Sequence, residues 1–444
     1  MPLNIGLSGL NAAAADLRIT GNNIANVGTT GFKESRAEFG DLFAQSYNAN
    51  PQTAIGSGVR LLTSAQQFNQ GSIEMTQNSL DLAVSGNGFF IVNNPDDTIA
   101  YTRAGEFQLD LDGYMVNSSG QRIQGFQPAD RTNPETTFDS LLDDVRVAES
   151  TSPANATTEI EAIVNLQSIA EAPTVAWEGF AYADPAVQTQ PDPDSYNFST
   201  SVNLYDSQGI ARPATMYFVK DPAAPLNWNV YVGMSQLDPA TGLSPVTDAT
   251  GTGGPAVLTF DVNGNLESVD GTLITDAAYQ GIPVNYPGAV FTDNGAAQFN
   301  AFLDFTSSTQ VGTSYAVGQM NQDGYTSGYL TGVNVDQSGV VTARFSNSQM
   351  LVLGQVALAQ FRNPQGLQEL GDNCWAETYS SGDPAYGAAM TGGLGVIESS
   401  ALESSNVDLS TQLVNLITAQ RNFQANAKTI STADTIAQTI INLR

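Results

Sequence analysis

The sequence predicts a multidomain protein with paired, coiled-coil-like α-helices at its two ends and mainly antiparallel β domains between them. Three observations predict this class. Apolar residues recur every three or four positions near both ends. In the middle they recur at every second position instead. The formal charge of −29 over 444 residues lies almost wholly in the middle, and a chain of this length is sufficient for about two to four domains.

The N-terminal segment carries a heptad pattern, in which apolar residues are spaced alternately four and three positions apart. The stripe consists of Leu3, Leu7, Leu10, Ala14, Leu17 and Ile24, with Gly21 between the last two. A run of four alanines, Ala12 to Ala15, favours helix by intrinsic propensity and leaves a thin surface that another helix can approach.

The C-terminal segment repeats the pattern over a longer distance, through Leu409, Leu413, Leu416, Phe423, Ala427, Ile430 and Ile441. We call the two stripes together the terminal seam. Polar Gln420 and Asp434 interrupt it. Ser405 stands three residues before Asp408 and predicts a capping box at the helix start. A helix that continues to residue 443 would be about 50 Å long.

The middle shows strands joined by tight turns. Alternating apolar residues approach Asp112-Gly113, Asn263-Gly264 and Ser338-Gly339, three dipeptides typical of hairpin turns. The strand residues that precede the turns are Phe107, Leu109 and Leu111, then Leu258, Phe260 and Val262, then Val333 and Val335. Trp228, Val230, Val232 and Met234 alternate in the same way. These patterns predict antiparallel β-structure.

Shifts in composition near residues 147 and 318 predict how the chain divides. Residues 1–32 and 404–444 form a terminal helical assembly domain, and residues 33–72 and 371–403 connect it to the remainder. Residues 73–147 and 318–370 form a discontinuous inner β domain. Residues 148–317 form an outer β domain inserted into the inner one.

Composition excludes several classes of function. The chain has no histidine and a single cysteine, Cys374, so it lacks histidine-dependent triads, histidine-ligated metal sites and paired thiols. The middle holds 41 of the 44 acidic and 11 of the 15 basic residues, a balance of −30, which disfavours nucleic acid. We expect no enzymatic activity, cofactor, metal or membrane span. We also expect either a cytosolic protein or export without a cleaved signal peptide.

Two features have competing interpretations. The segment Asp110-x-Asp112-Gly113 could belong to a calcium loop. An EF-hand, however, needs a third oxygen ligand at the position of Tyr114 and a bidentate glutamate at the position of Gln121, so a hairpin turn is favoured. The terminal seam could pack on the chain's own core. Its narrow spacing and small alanines instead favour contact with other long helices, and hence self-assembly.

Several long segments resemble the bacterial flagellar rod and hook axial proteins. They are LSGLNAAAADLRITGNNIANVGTTGFK near the start, SLDLAVSGNGFFIV at 79–92, YTRAGEFQLDLDGYMVNSSGQRIQGF at 101–126, and ALESSNVDLSTQLVNLITAQRNFQANAKTISTADTIAQTIINLR at the end. The resemblance covers roughly residues 1–147 and 318–444. The stretch 148–317 favours the hook branch of the family over the shorter distal rod branch.

The resemblance implies a structural subunit that polymerises into a curved, flexible tube, a universal joint that transmits torque from rod to filament. It implies an extracellular place in the hook and basal body, and these partners: copies of itself, the distal rod protein, the hook cap protein, the hook-filament junction protein and the flagellar type III export apparatus. Its motif residues are Asn22, Asn23, Asn26, Gly31 and Phe32. The alternative from a different class is a secreted β-rich adhesin.

Overall fold

The computed structural model describes residues 2–42, 56–133, 136–147, 151–177, 191–235, 246–248, 255–277, 279–286, 296–297 and 299–442. Helix α1 spans Pro2–Ala25 and helix α2 spans Leu409–Asn442. The intervening chain is built mainly of antiparallel strands, so the coarse prediction of a β-rich multidomain protein with helical ends is confirmed. Among these residues, no helix is both long and apolar enough to cross a membrane.

The strands are numbered in chain order. Strands β1 to β10 are Ser35–Asp41, Val59–Gln66, Ile73–Met75, Leu82–Ser85, Phe89–Asn93, Ile99–Thr102, Phe107–Leu109, Met115–Asn117, Arg122–Pro128 and Phe138–Asp144. Strands β11 to β23 are Thr151–Ser152, Glu159–Gln167, Phe198–Tyr205, Ala211–Lys220, Asn227–Ser235, Val246–Asp248, Ala256–Phe260, Leu266–Val269, Thr272–Leu273, Ile282–Tyr286, Phe299–Asp304, Thr309–Val311 and Ala316–Gln322. Strands β24 to β31 are Gly328–Val335, Val340–Phe345, Met350–Gln360, Gln368–Gly371, Cys374–Ala376, Ala385–Ala388, Val396–Ser399 and Ala401–Glu403.

The chain divides into two compact units. Unit 1 comprises Met1–Ser150, Thr331–Arg344 and Met350–Arg444, and therefore contains both helices. Unit 2 comprises Thr151–Leu330 and Phe345–Gln349.

Unit 1 is built around a large sheet in which β26, β9, β5, β6, β28 and β27 are successive neighbours. Its core holds aromatic rings that meet edge to face. The ring centroids are 5.7 Å apart in the pair Phe89 and Trp375, and 4.7 Å apart in the pair Tyr101 and Phe361. Smaller antiparallel pairs connect distant parts of the chain. Strand β3 pairs with β31, and β4 pairs with β30, so the segments that precede α2 are fastened to the sheet region.

Unit 2 contains two sheets over one apolar core. One follows the order β13-β14-β15-β17-β18-β19, and the other follows β20-β21-β12-β22, in which β12 lies parallel to β21 and β22. The alternation predicted around Trp228 is confirmed, because Trp228, Val230 and Val232 are buried on one face of β15. The side chain of Met234 lies outside the described residues.

The predicted hairpins are present, and an aspartate organises each turn. The Oδ1 atom of Asp110 accepts hydrogen bonds from the backbone N–H groups of Asp112 and Tyr114, at 2.9 and 2.7 Å. Asp206, Asp261 and Asp336 each bond the same two downstream positions. These bonds close the turns early, so Leu111 and Val262 are exposed turn residues, and their predicted strand placement was wrong.

The same bonds involve one of the two aspartates that a calcium loop would require. Asp110 is occupied by backbone donors, and within the described ranges no cluster of three or more acidic or cysteine side chains is placed to hold a metal ion. Gly113 has a φ of 81°, a left-handed conformation that glycine adopts without a steric cost. This segment is a hairpin turn.

Candidate functional site at the chain ends

The two terminal helices pack against each other in an antiparallel manner through small residues. A Cβ atom added to Gly6 would lie 2.9 Å from Ile430, and one added to Gly9 would lie 2.6 Å from Asn426. Near the other end of α1, Asn23 contacts Gln412. Because the glycines carry no side chain, the helix backbones can approach closely. Among the described side chains of α2, Gln412 and Ala419 are the most buried.

On α1 the intrachain contact therefore follows a different stripe from the terminal seam, whereas on α2 the seam residue Ile430 takes part in the contact. On α1 the buried positions are Gly6, Ala13, Ala15, Thr20 and Asn23. Small residues permit the closest approach, whereas the sequence pattern was traced through the largest apolar ones.

The seam residues themselves are exposed or half-buried. Those exposed are Leu7, Leu409, Leu413 and Ile441. Those half-buried are Leu10, Ala14, Leu17, Ile24, Leu416, Phe423, Ala427 and Ile430. The side chain of Leu3 lies outside the described residues. Much of this apolar surface therefore faces solvent. Contact between the seam and other copies of the chain stays a prediction.

Of the three motif asparagines, Asn23 has the long-range role. Its side chain donates to the carbonyl of Ser35 at 2.8 Å and accepts from the N–H of the same residue at 3.0 Å, as a neighbouring strand would. Gln412 on α2 extends the network by donating to the carboxylate of Glu34 at 2.8 Å. These bonds join α1, the start of β1 and the first turns of α2.

The other two asparagines act locally. Asn26 donates to the carbonyl of Asn22 at 2.9 Å, and Thr29 donates to the side chain of Asn26 at 3.2 Å. Both contacts satisfy polar groups where α1 ends and the chain turns. The amides of Asn22 and Asn26 are therefore explained by the helix terminus without a neighbouring subunit.

A buried ion cluster lies beneath this turn. The carboxylate of Glu403 accepts from Lys33 Nζ at 2.6 Å and from Arg103 at 3.1 Å. Glu403 and Lys33 are 0% and 1% exposed, and Arg103 is 6% exposed. Glu403 also accepts from the Gly71 N–H, and Lys33 donates to the Asn69 carbonyl. We call Lys33, Arg103 and Glu403 the anchor cluster.

Desolvation dominates the electrostatics of the anchor cluster. Burial lowers the pKa of Lys33 below its ordinary value, although the charge of Glu403 opposes the shift. Burial likewise lowers the pKa of Arg103. Two cations share one carboxylate away from water, so loss of that carboxylate would leave both of them buried and unpaired.

Asn406 completes the junction before α2. Its amide donates to the carbonyls of Gln67 and Asn69 at 2.7 and 3.1 Å, and its oxygen accepts from the Glu34 N–H at 2.7 Å. The Asn406 side chain thus joins three segments that are distant in the sequence, through hydrogen bonds to backbone groups.

Gly31 and Phe32 lie at the end of the turn that follows α1. Phe32 is buried, and the Gly31 N–H donates to the Glu403 carbonyl at 2.7 Å. Gly31 has a φ of 69°, and a Cβ atom there would lie 2.5 Å from the backbone nitrogen of Ala104. Gly28, by contrast, has neither constraint.

Gly31→Ala is expected to destabilise unit 1 by about 2 kcal/mol, because it combines a disfavoured backbone conformation with a backbone clash. Thermal unfolding followed by circular dichroism measures the effect. Gly28→Ala is the matched control and should be neutral or slightly stabilising, since open space surrounds that position. Equal melting temperatures for the two variants would contradict this role of Gly31.

The cap of α2 is Asp408 and not Ser405. Oδ1 of Asp408 accepts from the Thr411 N–H at 2.8 Å, whereas the hydroxyl of Ser405 accepts from the Val407 N–H outside the helix. The predicted capping box is therefore wrong in its first residue. The hydrogen bond from Thr411 lowers the pKa of the Asp408 carboxyl below its ordinary value of 3.8.

The cap predicts a pH dependence. Because the pKa of Asp408 is lower in the folded chain, its stabilisation is complete above the ordinary value and is lost as the pH falls through the lowered value. We expect the Thr411 amide resonance to shift over that acidic range in an NMR titration. In Asp408→Asn, which caps without titrating, the shift should disappear.

Comparison with known proteins matches these regions to flagellar families. The Flagella basal body rod protein family matches residues 3–33, and the Flagellar basal body rod FlgEFG protein C-terminal family matches residues 398–443. The Flagellar hook protein FlgE/F/G D1 domain matches residues 83–162, and the Flagellar basal body protein FlaE D2 domain matches residues 176–325. The flagellar hook protein FlgE of Escherichia coli (strain K12) is 38% identical over 445 residues, which cover 100% of both chains.

The chain belongs to the flagellar hook protein family. The flagellar hook protein FlgE of Salmonella typhimurium is also 38% identical, over 100% of both chains. The crystal structure of the Helicobacter pylori flagellar hook protein FlgE2 matches with a TM-score of 0.51 and 16% identity, covering 74% of this chain and 100% of that one, and so supports the fold. This hook-family chain is a structural subunit and not an enzyme. Membership of this family excludes the adhesin alternative. The matches over the full length of hook proteins favour the hook branch of the axial proteins over the rod branch.

Sequence reasoning missed the residues that fasten the ends of this hook-family chain. Lys33, Arg103 and Glu403 are separated by up to 370 positions, and no local pattern connects them. One signal was available for Lys33, since it is one of only 15 basic residues in a strongly acidic chain and follows the motif directly. Asn406 and Gln412 gave no comparable signal.

Proposed function

We propose that the chain polymerises with copies of itself into the curved, flexible tube of the hook and transmits torque from rod to filament. The observation that carries this proposal is the uncovered apolar surface of α2. Leu409, Leu413, Val414 and Ile417 are between 44% and 62% exposed on one long helix. Clustered exposure of this kind is typical of an interaction surface.

The junction beneath the helices supports the same function. The anchor cluster, Asn23 and Asn406 hold the helical ends to the β-structure of unit 1. A subunit that transmits torque needs such a connection, because force on the outer part must reach the helices without unfolding the segment between them.

The finer organisation also belongs to this proposal. We place the coiled-coil-like ends, residues 1–32 and 404–444, in the inner tube, followed by the connecting segments 33–72 and 371–403. The inner β domain, 73–147 with 318–370, and the inserted outer domain, 148–317, then lie progressively outward. The presence of two compact units supports a division of this kind.

The resemblance suggests the remaining partners. We propose that the flagellar type III export apparatus carries the chain out of the cell, that the hook cap protein directs its polymerisation, and that the distal rod protein and the hook-filament junction protein contact the two ends of the polymer.

Electron microscopy of a deletion strain tests the proposed function. Basal bodies that retain rods but lack both hooks and filaments are the expected result, and expression of the intact chain should restore both. Normal hooks in the deletion strain would contradict the proposal.

A further inference from the structure

A cleft opens beside the paired helices. It has a volume of about 540 Å³ and lies between α1, α2 and the paired strands β1 and β2. Its lining is mainly apolar or small, and includes Ile5, Ala12, Phe39 and Val59. Ile5 and Phe39 are 39% and 40% exposed, so apolar surface remains available within it.

One acidic residue lines this apolar cleft. Asp16 is the sole acid of α1, is half-buried, and has neither an ion pair nor a side-chain hydrogen bond to any described residue. Burial raises the pKa of its carboxyl. A partly desolvated carboxylate without an ion pair is a cost to the isolated chain that a basic partner would remove.

The outward face of α2 has the complementary character. At 100° per residue, Val414, Ile417, Arg421 and Lys428 lie on the side opposite the buried Gln412 and Ala419. Val414 and Ile417 are 62% and 49% exposed. Arg421 and Lys428 are exposed and make no ion pair with the described residues. Apolar contacts are therefore followed, one turn later, by an arginine.

We propose that the cleft receives the outward face of α2 from a second copy of the chain, and that Asp16 pairs there with Arg421 of that copy. The pairing rests on the proposed polymerisation and specifies one of its contacts. Val414 and Ile417 fill the apolar part of the cleft, while the arginine fork supplies two parallel donors to the carboxylate. Arg421 is one helical turn from Ile417, whereas Lys428 is nearly two turns further along.

A double-mutant cycle on the full-length chain tests the pairing. We measure the critical concentration for polymerisation of wild type, Asp16→Asn, Arg421→Gln and the double variant, by light scattering with electron microscopy of the product. Each single variant is expected to raise this concentration about tenfold, as for loss of a charged hydrogen-bonded pair. The double variant should also show about a tenfold rise, because both singles remove the same interaction.

Lys428→Gln is the control for loss of one positive charge on the same face. Its effect should be small and should add to that of Asp16→Asn. About a hundredfold rise in the double variant Asp16→Asn/Arg421→Gln would show independent effects and would contradict the pairing. A folded wild-type chain that forms no polymer would contradict the proposed function as well, so the two failures are distinguishable. Circular dichroism confirms that each variant is folded.

Discussion

Glu403→Gln is expected to destabilise unit 1 by about 3–5 kcal/mol, because it leaves two buried cations without a carboxylate. Lys33 and Arg103 are 1% and 6% exposed, so water cannot replace the lost partner. Hydrogen exchange with mass spectrometry, in increasing urea, measures the free energy of opening of the segments 31–35 and 401–407. The same experiment follows the sheets of unit 2, which are expected to be unaffected.

Glu38→Gln is the matched control for this substitution. Glu38 also pairs with a basic residue in unit 1, Arg36 at 3.3 Å, but the two side chains are 43% and 66% exposed. An exposed pair of this kind contributes about 1 kcal/mol or less. Comparable losses in the two variants would show that burial of the anchor cluster has no special consequence.

Alkaline pH should partly restore the Glu403→Gln variant. The pKa of Lys33 is already lowered by burial, and removal of the carboxylate lowers it further. The folded variant then binds fewer protons than the unfolded chain, so its stability rises as the pH approaches the ordinary lysine value of about 10.4. A loss of stability that stayed the same from about pH 7 to about pH 10 would indicate a packing defect and not an unpaired charge.

Replacement of Leu413 and Leu416 by aspartate is expected to abolish polymerisation and leave both units folded. Leu413 is 45% exposed and Leu416 is half-buried, so the chain alone tolerates the charges. Between copies, the same positions would bury two unpaired carboxylates, a cost sufficient to raise the critical concentration at least about a hundredfold. Light scattering measures polymerisation, and circular dichroism measures the fold.

Thr411→Asp/Thr429→Asp adds the same charge to another side of α2. Both threonines are exposed and lie away from the seam, so this control should polymerise. Hooks of normal length from the Leu413→Asp/Leu416→Asp variant would contradict a role of the terminal seam in polymerisation. Equal loss of assembly in both variants would show that any added negative charge on α2 is harmful.

The parts of the fold that sequence predicted well depend on local interactions. Asn263-Gly264 and Ser338-Gly339 form turns because the preceding aspartates, Asp261 and Asp336, bond the backbone within four residues. The helices at both ends follow from periodicity in the same direct way.

The parts that sequence missed depend on contacts between distant segments. The stripe that joins α1 to α2 lies one position from the predicted seam at Gly6 and Ala13, because close backbone approach selects small side chains and not large ones. The anchor cluster joins residues that a single sequence gives no reason to connect. The pattern of apolar residues thus predicts which segments are helical more reliably than it predicts which face of a helix contacts which neighbouring segment.

The central claim is that assembly buries the outward surface of the terminal helices. Hydrogen exchange of α2, compared between monomer and polymer, tests it most directly. We predict rapid exchange in the exposed second half of α2 in the monomer, since a helix with little packing is marginally stable in water. In the polymer the same amides should exchange far more slowly. Unchanged exchange in α2, with new protection confined to unit 2, would contradict the account.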